Sequence, residues 1–186
     1  MGKITLPPNE SLYPLPVALV TCCDVFGNKP NIITIAWCGV VCSKPPIISI
    51  SVRPSRHSHK LIEESKEFAV NIPSSSLLKK VDLCGISSGK DVDKFKDYRL
   101  TKLKSNKIKS PIIKECPVNI ECKLKETLHL GSHDLFLGEV VAVSVDADIV
   151  GDGGKIDFRK ADPVVFNQGE YWTIGAKAGY YGYSSK

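Results

Sequence analysis

The densest set of ligand-ready groups in this 186-residue chain is Arg53-Pro-Ser-Arg-His-Ser-His59. It leads straight into a segment with helical spacing. Free backbone N–H groups, the Ser55 and Ser58 hydroxyls and two guanidinium groups can therefore converge on a phosphate. The same residues also read as an ordinary helix start with Ser58 near the N-cap and solvated arginines, and on this segment alone the two readings weigh equally. A second segment, Asn31-Ile-Ile-Thr-Ile-Ala-Trp37, carries an amide and an indole on an apolar strand. There a barrel wall can hydrogen-bond and cover an aromatic ring system, although Trp37 by itself reads first as core. Lys94, in Asp91-Val-Asp-Lys-Phe95, offers a cation, and His133, in Gly131-Ser-His-Asp134, an imidazole at a turn before a buried strand. Their plain alternatives are a solvated lysine and a surface turn. As a set, these residue types suit a planar, phosphate-bearing ligand.

Other chemistries lack their residues. No G-x-G-x-x-G follows a strand, and no phosphate-binding G-K-[ST] occurs, because Gly89-Lys90 precedes Asp91 and Gly154-Lys155 precedes Ile156. A G-x-S-x-G elbow and an H-E-x-x-H pair are also missing. The four histidines, His57, His59, His129 and His133, are not spaced as metal ligands within one element, so no metal site is expected. His57 and His59 would share a face only if locally extended. The seven cysteines form an odd set without a C-x-x-C pair and read as reduced, mostly buried thiols.

The elements that must position these residues are mostly strands. VALVTCC, residues 17–23, and the apolar run Asn31 to Cys42 flank a turn-rich Asp24–Pro30 and read as a hairpin. Ile47 to Val52 is a β-branched strand. A short helix is predicted from Ser58 with Leu61 and Ile62 inward, then a strand over Glu67 to Ile72. Further helices are predicted over Ser75 to Leu83 and around Asp91 to Phe95. Val118 to Leu130 and Leu135 to Ala147 read as long strands joined at Gly131–Asp134. Pro163 to Asn167 and Glu170 to Ile174 form a last pair about Gln168-Gly169. Many strands, few helices and no strand–helix alternation argue for an antiparallel, mainly β barrel with peripheral helices, in one domain spanning residues 1–186.

The net charge of +5 is uneven: Lys94 to Lys114 holds eight cations and one anion, and the rest of the chain sums to −2. A solvated connection is the first reading of this stretch and a basic rim for an anionic ligand the second. Nucleic-acid binding is not expected, because Phe95, Tyr98 and Arg99 all fall at one end instead of interleaving with the lysines. The longest early stretch without charge, Pro30 to Ser43, has 14 residues, short of the ~18 a membrane span needs. With no signal-peptide pattern at the start, no membrane partner and a cytoplasmic location are expected.

In order along the chain, Pro16–Thr21, Gly27–Asn31 with Thr34 and Trp37, Lys44-Pro-Pro46, Arg53 with Ser58, Glu67–Asn71, Ser88–Phe95 and Gly131–Glu139 resemble the flavin reductase-like family of FMN-binding split-barrel proteins, and most closely its flavoredoxin and ferric reductase branch. The resemblance implies FMN as cofactor and NAD(P)H as electron donor. Electrons would pass to free flavin, a ferric chelate or a partner protein; an electron carrier without direct NAD(P)H activity is the alternative. It implies that Asn31, Ala36, Trp37 and Cys38 line the flavin ring and that Ser51, Val52 and Arg53 border it. Ser58, where the family commonly has Thr, would contact the phosphate and Lys94 would add a cationic contact. His133 and Phe166 would lie at the ring, with His133 orienting substrate or tuning the flavin. A homodimer with FMN near the subunit interface is also implied.

Overall fold

The structure, a computed structural model, describes residues 2–185. Its strands are β1 Leu15–Pro16, β2 Ala18–Cys22, β3 Asn31–Ile35, β4 Cys38–Ser43, β5 Pro46–Val52, β6 Glu67–Ile72, β7 Lys102–Leu103, β8 Ile112–Ile113, β9 Val118–His129, β10 Asp134–Val145, β11 Val164–Asn167 and β12 Glu170–Thr173. Four α-helices lie outside the sheet: α1 His57–Ser65, α2 Leu78–Ile86, α3 Lys94–Asp97 and α4 Phe158–Ala161. The fold is mainly β and antiparallel, a split barrel with peripheral helices.

Seven strands form one sheet in the order β3-β2-β6-β9-β10-β5-β4. Its two outermost strands, β3 and β4, are consecutive in the chain and separated only by Ala36 and Trp37, so the sheet must curl until its ends meet. The apolar run Asn31 to Cys42, read as one arm of a hairpin, is therefore two strands on opposite sides of the seam. The Cys38 amide donates to the Ala36 carbonyl at 3.0 Å and the Ser51 amide to the Trp37 carbonyl at 2.9 Å, which fixes the corner against β5. Trp37 thus sits at the split itself. A smaller sheet, β1-β11-β12, packs beside the barrel and brings Phe166 to the same end.

Alternation along the strands builds two cores. Ala18, Val20, Ile33, Ile35, Ile50, Phe68 and Phe136 fill the barrel with Leu61 and Ile62 of α1. Leu19 and Ile32, on the opposite faces of β2 and β3, and Val17 just before β2 pack under α2 and α3 with Val81, Cys84 and Phe95. Both faces of β2 are covered, so every one of its residues, Thr21 included, is buried. Gly138 makes the barrel packing feasible: a Cβ there would stand 2.4 Å from Phe68 Cζ and 2.8 Å from Cys122 Cβ.

The lysine-rich connection after α3 is held by its backbone. Glu67 accepts from the Lys109 and Ser110 amides at 2.6 and 3.0 Å, and the fully buried Glu121 accepts from the Asn106 and Lys107 amides at 2.8 and 2.7 Å. The cationic side chains from Lys96 to Lys114 are exposed, as both the solvated connection and the basic rim require. Lys94 alone of the stretch is buried. Among the described residues no helix is long and apolar enough to cross a membrane.

Candidate functional site

Two connected hollows run along the mouth of the barrel between α1, the end of α2 and the β3–β4 corner. One, of about 490 Å³, is lined by Asn31, Arg53, Arg56, His57, Ser58, Gly85, Ser87–Gly89 and Lys94. The other, of about 390 Å³, is lined by Ala36, Trp37, Ser51, Val52, Arg53, His133 and Phe166. Ile33, Arg53 and Arg56 border both, making a single elongated cleft with a cationic half and an aromatic half.

The cationic half is built on the start of α1. The helix begins one residue earlier than the spacing suggests, with Arg56 as an extended N-cap and no side-chain cap. Ser58 is therefore not the cap residue; it lies inside the first turn and is 1% exposed. Its hydroxyl oxygen accepts from Asn31 Nδ2 at 2.8 Å. Helical rotation also separates the two histidines: His57 lines the cleft, while His59 is buried beneath it. Asn31 is trapped by the turn after α2. A Cβ on Gly89 would stand 2.1 Å from Asn31 Oδ1, so only glycine allows this approach.

Lys94 carries the strongest electrostatic signal. It is 3% exposed, and its ammonium donates to the Ile32 and Cys84 carbonyls at 2.7 and 2.6 Å. Among the described residues no carboxylate lies within ion-pair distance of it. Burial pulls its pKa below the usual lysine value, and the Arg56 charge adds to that pull. A buried cation without a counterion, beside two more cations and an open first helical turn, is complementary to an anion.

In the aromatic half the Trp37 and His133 rings lie with centroids 4.5 Å apart at 39°. Ser132 Oγ pairs with His133 Nδ1 at 3.0 Å and steadies the ring. Burial, then repulsion from Arg53, lowers the His133 pKa, which favours the neutral imidazole. Phe166 enters from β11, braced by Tyr171 at 5.8 Å between centroids.

The cleft thus gathers Asn31, Ser58 and Lys94 at one end, Ala36, Trp37, Ser51, Val52, His133 and Phe166 at the other, and Arg53 between them. Cys38 is the exception. It lines an adjoining hollow of about 320 Å³, which shares Trp37 and Ser51 with the aromatic half and is closed by Gly39, Ser49, Glu10, Leu12 and Leu15. Successive residues past the corner face opposite ways, which turns the thiol from the cleft. Burial pushes the Cys38 and Cys84 thiols up to about 11 and those of Cys22 and Cys122 up to about 12, so these four are protonated at neutral pH. Sequence reasoning misses the contribution of α2 and its exit. Gly85, Ser87, Ser88 and Gly89 reach the cleft only because α2 packs across β3, and a Ser-Ser-Gly turn marks the place weakly.

The sequence model of the flavin reductase like domain matches residues 10–175. An uncharacterised protein of Archaeoglobus fulgidus is 38% identical over 136 residues, covering 73% of this chain and 75% of its own. The flavoredoxin of Desulfovibrio vulgaris (Miyazaki F) superposes with a TM-score of 0.92 at 34% identity, covering all of both chains. A flavoredoxin from Methanosarcina acetivorans does so with a TM-score of 0.89 at 33% identity, again over all of both chains. The chain belongs to the flavin reductase-like family.

Proposed function

We propose that the cleft binds FMN and that the protein is an oxidoreductase taking a hydride from NAD(P)H. The uncompensated ammonium of Lys94 carries this reading: its charge is matched by the phosphate of FMN, and the aromatic half is shaped for a flat ring. Lys94, Ser58, Arg53 and the first amides of α1 would hold the phosphate, with Asn31 fixing the Ser58 hydroxyl. Trp37, Ala36, Ser51, Val52, His133 and Phe166 would border the ring. Held there, FMN would supply the redox chemistry, with a nicotinamide as hydride donor and free flavin, a ferric chelate or a partner protein as acceptor.

The protein's own part is placement. A neutral His133 can donate or accept one hydrogen bond toward a bound group without adding charge. Trp37 and Phe166 would shield the ring, and the Cys22, Cys38, Cys84 and Cys122 thiols, held protonated, stay out of the chemistry. No dinucleotide-binding motif is needed, since a nicotinamide can stack on an exposed ring. The chain would act as a single unit over residues 1–186 and as a homodimer. Its described residues expose 11,535 Å², well above the roughly 8,800 Å² that a compact monomer of this mass would show.

Likeness to two flavoredoxins favours a second reading, an FMN-binding electron carrier that does not react with nicotinamide. Anaerobic mixing of the FMN-loaded protein with NADH and with NADPH separates the two. Bleaching of the yellow colour by either supports the reductase; no bleaching with both leaves the carrier.

A further inference from the structure

Behind the cleft lies an ionisable cluster about a buried carboxylate that the proposed reaction does not use. Asp134, the first residue of β10, is 5% exposed. Its Oδ2 accepts from His59 Nε2 at 2.7 Å and its Oδ1 from His129 Nδ1 at 3.1 Å. His59 is in the first turn of α1, next to Ser58, and its ring packs on Phe136 with centroids 5.0 Å apart. Asp134 follows His133 directly and pairs in register with Val52, the residue before Arg53. One carboxylate therefore connects the cationic half of the cleft, through His59 and α1, to the strand ends that carry the aromatic half.

We propose that Asp134 and His59 are positioning residues that set the aim of the anion-binding turn. This inference rests on the FMN reading of the cleft. Helix α1 has only nine residues, and Leu61 and Ile62 hold it to the core. Apolar contacts of that kind are non-directional and leave rotation about the helix axis soft. A short hydrogen bond to a buried carboxylate is directional and, at an ionised acceptor, stronger than a neutral one. It therefore fixes the rotation of the first turn and, one residue away, the direction of the Ser58 hydroxyl and the leading amides. Asn31 restrains Ser58 from the cleft side, and the Asp134–His59 bond restrains the helix from beneath. Without the latter, the turn keeps its residues but loses their convergence on the phosphate.

The test compares FMN with riboflavin, which has the same ring and no phosphate, by fluorescence titration of the flavin-free protein. His59→Phe keeps a ring against Phe136 and removes the bond. It is expected to weaken FMN about tenfold while riboflavin changes less than about twofold, and His59→Gln, which can donate again, is expected to recover most of the loss. Asp134→Ala should lower the ratio of FMN to riboflavin affinity in the same way. If that variant does not fold, the two His59 variants decide the matter. Equal losses for FMN and riboflavin, or no loss of either, would overturn the positioning role. Failure of the FMN reading looks different: the unaltered protein would then bind neither flavin, or bind both alike.

Discussion

Lys94 and His133 are expected to act at opposite ends of one ligand. Lys94→Met removes a charge-assisted contact to the phosphate, expected to cost about 1.5–3 kcal/mol of FMN binding and little of riboflavin binding. The unaltered protein should also lose FMN affinity as pH rises. Burial places the Lys94 pKa below the usual 10.5, and binding needs the protonated form. Affinity is therefore full below the flavin-free pKa and falls as pH climbs through it, a dependence that Lys94→Met should flatten. His133→Ala should instead weaken FMN and riboflavin together, by roughly 0.5–1.5 kcal/mol, because only ring contacts are lost. An unchanged riboflavin affinity would return His133 to an ordinary turn. These residues are legible in sequence as types and as members of a resemblance, whereas their environment is not. Nothing in Asp91-Val-Asp-Lys-Phe95 shows that Lys94 is buried against the Ile32 and Cys84 carbonyls, because that contact exists only once α2 and α3 have packed on β3.

Among the elements, what was legible follows local pattern. Strand alternation predicts the long β9–β10 hairpin, and the Leu61-Ile62 pair predicts α1. Two features escape because they are tertiary. The Asn31–Cys42 run looks continuous, yet the barrel closes by breaking it at Ala36-Trp37. The α2 exit turn belongs to the cleft only through the close approach of Gly89 to Asn31. Gly89→Ala should therefore displace Asn31 and weaken FMN binding with a small change in melting temperature. Gly138→Ala, which drives a methyl into Phe68, should destabilise the barrel by about 1–3 kcal/mol, read as a lower melting temperature. The β10 start contributes a pH dependence. Burial raises the Asp134 pKa, but hydrogen bonds from His59 and His129 outweigh it and hold the carboxyl below its ordinary 3.8. Its contribution to stability is thus complete above that value and is lost as pH falls through the depressed pKa. Acid unfolding curves of the unaltered protein and Asp134→Asn should converge at low pH.

For the whole molecule, the mild positive charge resolves into a buried lysine at the cleft and an exposed lysine-rich connection fastened by Glu67 and Glu121. The exposed apolar side chains Val40, Val41, Leu12, Ile86 and Tyr181, with the large surface of the chain, are consistent with a second copy covering part of it. Light scattering should then report twice the chain mass. The central claim, that the connected hollows form one FMN site, is tested most directly by purifying the protein, releasing any bound cofactor and titrating the flavin-free chain with FMN. An FMN site gives a yellow protein that releases FMN and rebinds one equivalent per chain more tightly than riboflavin. A colourless protein that takes up no FMN would contradict it.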